Sequence, residues 1–220
     1  MRLFRRKLDT ADKIQLALAY FVRVLVAVAA AGAAREGQWL ILFTSLLILA
    51  LTFFPSLLER RYRLFFPTEI EFAVVVFLYL ALFLGEIRGY YTKFWWWDLM
   101  LHAGAGVAFG FAGFLVLYIL YRKNTLSSSP FWIAFFSFCF AVAIGALWEI
   151  FEFSMDHAFG LNMQKSGLND TMGDLIVDSV GALVTALIGF YYLKGKKEGL
   201  VNRVITRFVA ENPALFKAER

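Results

Sequence analysis

Asp98 and His102 stand four residues apart in this chain, Glu149, Glu152 and Asp156 follow at spacings of three and four, and Asp174 and Asp178 are again four apart. On a helix, residues at those separations share a face, so each group reads as one polar stripe. Carboxylate oxygens gathered around a single imidazole make a donor set for Zn, Mn, Fe or Mg and disfavour the softer metals that select sulfur. The expected ligands are His102, Glu149, Glu152, Asp174 and Asp178, with Glu149, Glu152 and Asp178 also placed to act as acid or base. Asp98, one turn before His102, is the carboxylate expected to orient the imidazole.

Some of these residues also have a structural reading, though Asp178, Glu149 and Glu152 do not. The stretch TMGD places Thr171 as a helix N-cap and Asp174 three residues on, a capping box. Asp98 follows three tryptophans (residues 95–97) of an interfacial aromatic belt, and His102 alone needs only a backbone carbonyl. Asp156 and His157 are expected in water. Up to six carboxylates at one depth cannot all stay ionised without compensation, so they need protons, an arginine or a metal. Arg23, halfway along the first apolar run, is the alternative counter-ion.

The elements that must position these stripes are set by composition. The 220 residues are 60% hydrophobic and 18% aromatic, with mean hydropathy +0.66, which exceeds the apolar share of a soluble domain. Six windows, at about residues 14–34, 39–58, 70–87, 96–121, 131–153 and 174–193, are long enough to cross a bilayer. The expected fold is an all-α polytopic bundle, a multi-pass protein of the plasma or inner membrane. Arg23 and the length of the run argue that the first span is an uncleaved anchor rather than a signal peptide. Pro55 should kink or end the second span, and Ser129 with Pro130 should open the fifth.

Seventeen of the 22 Lys and Arg fall in the N-terminal tail (residues 1–13), the second and fourth loops and the tail from 194 to 220; four lie on the opposite side. Positive residues stay cytoplasmic, so both termini are expected inside. Eight of the 17 acids gather at the outer ends of spans three to six or in an outer loop at about 154–173, a possible lid. A net charge of +5 spread this way excludes nucleic acid as a partner and leaves membrane lipid.

Gly106 and Gly110 are in GxxxG spacing, and Gly145, Gly181 and Gly189 lie among alanines on the next two spans. Small residues let membrane helices approach closely, which makes spans four to six the expected core, with one to three around it. Spans two and three read as lipid-facing. Residues 200–208 alternate apolar groups with Arg203 and Arg207 and suggest a cytoplasmic helix at the lipid interface or docked on the bundle. Cys139, in an apolar run, can form no internal disulfide. The sequence has no P-loop, GxSxG, HExxH, CxxC or dinucleotide fingerprint.

The stretches WWWDLMLHAGAG, GALWEIFEFSMDH and GLNMQKSGLNDTMGDLIVDSVGAL resemble the YjdF-type family of bacterial and archaeal integral membrane proteins, a domain of unknown function, over about residues 94 to 193. A fainter similarity is to VanZ-like membrane proteins: His102, then Glu149 or Glu152 on the next helix, then Asp178 before Gly181. Where that pattern has an Arg between the last two helices, this chain offers Lys165. The resemblance supports the fold and the choice of residues and implies no reaction. Three functions remain open: a metal-assisted enzyme acting on a lipid, lipid-linked or small-molecule substrate at the outer leaflet, a cation or proton-coupled transporter, and a structural or partner-binding protein.

Overall fold

The computed structural model describes residues 8–196 and 199–216; most of the basic N-terminal tail therefore lies outside the described residues. Among the described residues, six helical stretches are long and apolar enough to cross a membrane: Thr10–Arg35, Trp39–Tyr62, Thr68–Ile87, Trp97–Arg122, Pro130–Phe159 and Leu168–Leu193. All six expected spans are present. The chain divides into two compact units, Met1–Trp95 and Trp96–Arg220.

The first unit holds α1 (Thr10–Arg35), α2 (Trp39–Thr52), α3 (Phe54–Tyr62), α4 (Thr68–Leu78), a π-helical stretch Tyr79–Ile87 and α5 (Tyr90–Lys93). Asp9 and Asp12 cap α1 reciprocally, each carboxylate accepting the other's backbone N–H at 2.8 and 3.1 Å. The second span breaks as its proline demands: α2 stops at Thr52 and Pro55 sits in the first turn of α3, where its missing N–H removes no helical bond. Val26, Ile48 and Phe83, one from each of the three spans, form a core. Spans two and three thus each give a residue to an interior of this unit, while Leu40, Phe43, Leu46 and Phe77 stay exposed on their outer faces.

Arg23 completes that unit. Helical side chains lean toward the N-terminus, and Arg23 reaches back along α1 to Thr52 and Glu71. Its Nε donates to Thr52 Oγ1 at 3.2 Å, and its Nη2 to Thr52 O at 2.8 Å and Glu71 Oε1 at 3.1 Å. The guanidinium is committed within its own unit, so the alternative that made it the counter-ion of the acidic stripes is replaced by a pairing with Glu71.

The second unit holds α6 (Trp97–Arg122), α7 (Pro130–Phe159), α8 (Leu168–Leu193), α9 (Leu200–Glu211) and a 3-10 turn Pro213–Phe216. Ser129 is the N-cap residue of α7 and Pro130 its first residue. Glycines set the contact of α6 with α8: a Cβ on Gly106 would run into the Asp178 backbone, one on Gly181 would strike the Ala103 carbonyl, and Gly110 rests on Ala182 and Thr185. The GxxxG spacing is thus used for close approach. Outward faces carry Val116, Phe136, Leu147, Phe153, Val180 and Leu187, all exposed, as lipid contact requires.

Both α7 and α8 run further than the sequence suggested. Asp156 and His157 lie in the last turns of α7, and Asp170 in the first turn of α8. The expected loop 154–173 shrinks to residues 160–167, bracketed by Gly160 at φ +65° and Gly167 at φ +63°, a backbone conformation glycine adopts without penalty. Gly167 precedes α8 as its cap. Thr171 is therefore no N-cap, and Asp174 sits in the second turn, beyond the reach of a capping box. At the other end of the unit the C-terminal helix is docked: Ile205 and Phe208 are buried, and the Phe216 ring packs on Tyr118 at 5.6 Å. Of the two placements expected for this helix, the buried Ile205 and Phe208 fit the one docked on the bundle.

Candidate functional site

Where α6 begins, α7 ends and α8 begins, His102 stands among carboxylates from all three helices. Its Nδ1 lies 3.2 Å from Asp178 Oδ2. An ionised carboxylate only accepts, so this contact puts a proton on Nδ1 and leaves Nε2 as the nitrogen turned to the other carboxylates. That nitrogen faces Asp98 Oδ1 at 3.9 Å, Glu149 Oε1 at 3.9 Å and Asp174 Oδ2 at 4.0 Å. Room for Asp178 comes from Gly145, one turn before Glu149: a Cβ there would collide with the Asp178 carboxylate.

Two groups of three converge closely enough to share an ion: His102 with Glu149 and Asp174, and Asp98 with Asp170 and Asp174. Glu149 is 4% exposed and Asp174 1%; the Thr171 and Gln164 side chains lie beside the Glu149 carboxylate, yet neither of its oxygens nor Oδ2 of Asp174 makes a hydrogen bond of good geometry. A buried polar atom left so costs on the order of 1–3 kcal/mol, more when charged, and each such atom in a native fold calls for an explanation such as an ion.

The expected residues take up different stations. His102, Glu149 and Asp174 come together. Asp178 and Asp98 exchange the places expected of them: Asp178 orients the imidazole, while Asp98 faces its open nitrogen. Glu152 joins neither convergent group; its Oε1 accepts the Trp148 indole N–H at 2.9 Å. Trp148 stands four residues earlier on the same helix face. Asp156 accepts the backbone N–H groups of Met163 at 2.7 Å and Gln164 at 2.9 Å and so anchors the 160–167 loop. His157 is exposed and stacks on Phe153.

Sequence reasoning placed Asp170 in a loop and gave it no role. In the structure its Oδ2 accepts the Lys165 backbone N–H at 3.1 Å and its carboxylate belongs to the second group. Lys165 extends its ammonium onto Asp98 Oδ2. Gln164 donates to Thr171 Oγ1 at 2.7 Å. The loop thus folds over the site and is tied to it from three sides.

A helical membrane bundle with a carboxylate–imidazole cluster among its helices defines the class: a multi-pass membrane protein. Residues 14–195 match the family of predicted membrane proteins DUF2238, and the chain belongs to that family. It is also similar to an uncharacterized protein of Thermotoga maritima, 28% identical over 149 residues that cover 66% of this chain and 73% of the relative. No solved structure matches.

Proposed function

We propose that the second unit binds one divalent cation through His102 Nε2, Glu149 and Asp174, and that the protein is a metal-assisted enzyme acting on a lipid or lipid-linked substrate at the outer leaflet of the cell membrane. The observation that carries this reading is the set of buried carboxylate oxygens without partners facing the open nitrogen of His102. A tetrahedral ion with bonds near 2.1 Å spaces its ligand atoms about 3.4 Å apart. The separations of 3.9 and 4.0 Å close to that with shifts of a few tenths of an ångström per atom.

Each neighbour then has a task. Asp178 holds the imidazole in the tautomer that coordinates. A divalent ion bound beside Asp98 would lower the pKa of a coordinated water and supply a nucleophile near neutral pH. Glu152, one turn beyond Glu149, is available as acid or base. The 17-to-4 asymmetry of Lys and Arg supports an outward orientation for this end of the bundle.

Transport needs polar groups that continue across the membrane. The hydroxyls deeper in this unit are committed: Ser137 donates to Ile133 O at 2.7 Å, and Thr185 to Val107 O at 3.2 Å. Beyond them Phe114 stacks on Tyr118, and Tyr192 meets both rings edge-on. Committed hydroxyls and packed rings toward that end favour chemistry at the outer surface over passage through the unit.

Elemental analysis of the purified full chain tests this reading. About one divalent ion per chain is expected, absent from His102→Ala and Glu149→Gln. A metal-free wild type that does not take up Zn2+ or Mn2+ would overturn the metal site. An unaltered lipid profile in cells producing either variant at normal levels would overturn the enzyme.

A further inference from the structure

The first site leaves Asp98 and Asp170 unused by any ion and the local charge unbalanced. Asp98, Glu149, Glu152, Asp170, Asp174 and Asp178 supply six carboxylates around His102. One divalent ion together with the Lys165 ammonium neutralises half of them. Like charges held this closely in a low-dielectric setting require a further cation or protons.

Asp98, Asp170 and Asp174 place ligand oxygens within 4.8 Å of one another. Asp174 belongs to both groups, is almost fully buried, and has Oδ2 without a partner. Asp98 also faces both ways: Oδ1 lies toward His102 Nε2 at 3.9 Å, and Oδ2 meets Lys165. A carboxylate shared between two convergent groups is the arrangement by which paired metal ions are held about 3.5–4 Å apart. What stands at the second position is the Lys165 ammonium, on Asp98, while the Lys165 backbone is tied to Asp170.

We propose that Asp98, Asp170 and Asp174 form a second divalent-cation subsite sharing Asp174 with the first, and that Lys165 is a tethered cation which holds this subsite until an ion displaces it. The inference rests on the first site and adds to it. It specifies a two-metal centre, suited to a substrate whose phosphate oxygens bridge two ions, a phosphoester or pyrophosphate on a lipid. Lys165 lies on the 160–167 loop, so filling the second position releases one of the ties that close the loop over the site. Uptake of the second ion and opening of the loop are then one event.

Mn2+ alone is the probe, added to the full chain in detergent and read by bound metal and by electron paramagnetic resonance. At low Mn2+ the wild type should bind about one ion with an uncoupled six-line spectrum. Lys165→Met should bind about two, with a spin-coupled spectrum, because the ions would share a carboxylate. Lys165→Met/Asp170→Asn should return to one. Should Lys165→Met fail to accumulate, the wild type still decides: at Mn2+ well above saturation of the first site it develops the same coupled signal. One ion in both wild type and Lys165→Met, or a second ion that leaves the spectrum uncoupled at high Mn2+, would overturn the second subsite while leaving the first intact. No ion in the wild type would remove both.

Discussion

Arg23 in the first unit and His102 in the second are both ionisable groups buried in apolar helices, and their surroundings differ in one respect. Arg23 spends its donors on Thr52 and Glu71 and lies over the rings of Tyr20 and Phe53. No buried nitrogen or oxygen of Arg23, Thr52 or Glu71 is without a partner. Around His102, by contrast, Glu149 and Asp174 keep buried oxygens with none. Burying a charge is costly in either place. Around Arg23 the protein's own groups offset that cost, and around His102 three carboxylate oxygens stay without a hydrogen bond, which is the physical difference between a structural ion pair and a place made for a ligand.

Substitutions on the two sides should therefore move stability in opposite directions. Arg23→Ala takes its buried cation from Glu71 and should destabilise the first unit by about 3–5 kcal/mol; Arg23→Met with Glu71→Met should recover most of that loss. Thermal unfolding in detergent, followed by circular dichroism, reads both, and metal content should stay unchanged. Glu149→Gln removes a buried carboxylate that has His102 Nε2 at 3.9 Å but no well-formed hydrogen bond. It should leave the metal-free protein as stable as wild type or more stable by roughly 1 kcal/mol, while abolishing metal binding. A Glu149→Gln protein as crippled as Arg23→Ala would erase the distinction.

Intermediate effects should come from groups that position the ligands without touching the ion. Asp178→Asn removes the acceptor on His102 Nδ1 and should weaken metal affinity about 10–100-fold. Gly145→Ala, which pushes on the same carboxylate, should act in the same range. Competition titration against a metal-binding dye measures both, and unchanged affinity in the two would show that His102 needs no orienting partner. The smallest effect belongs to Trp148→Phe. Glu152 is the one acid of the cluster with a side-chain donor on its own helix, so losing the indole N–H should cost about 1 kcal/mol and leave metal content as in wild type.

Much of this was legible in the residues. Six spans, the break at Pro55, the start at Ser129 and the polar stripes all follow from periodicity, helix-breaking chemistry and spacing. The loop was misjudged because TMGD has the form of a cap, whereas Gly160 and Gly167 mark the true ends through backbone freedom. Those glycines were visible, and a positive-φ glycine closing a helix is a readable signal. Glu71 was not legible as the partner of Arg23, because 48 residues separate them and helix pairing in the first unit has no sequence motif. The exchange of Asp98 and Asp178 was equally hidden: spacing along α6 offers Asp98 to His102, but the close approach of α8 permitted by Gly106 and Gly181 delivers Asp178 instead. Asp170 was missed because a residue assigned to a loop has no helix face.

The most direct test is X-ray absorption on the Zn2+-loaded wild type. The predicted first shell is nitrogen and oxygen at about 2.0–2.2 Å with the outer-shell scattering of one imidazole, and that imidazole signal disappears in His102→Ala. A shell of oxygen alone in the wild type, or one unchanged by His102→Ala, would contradict the account.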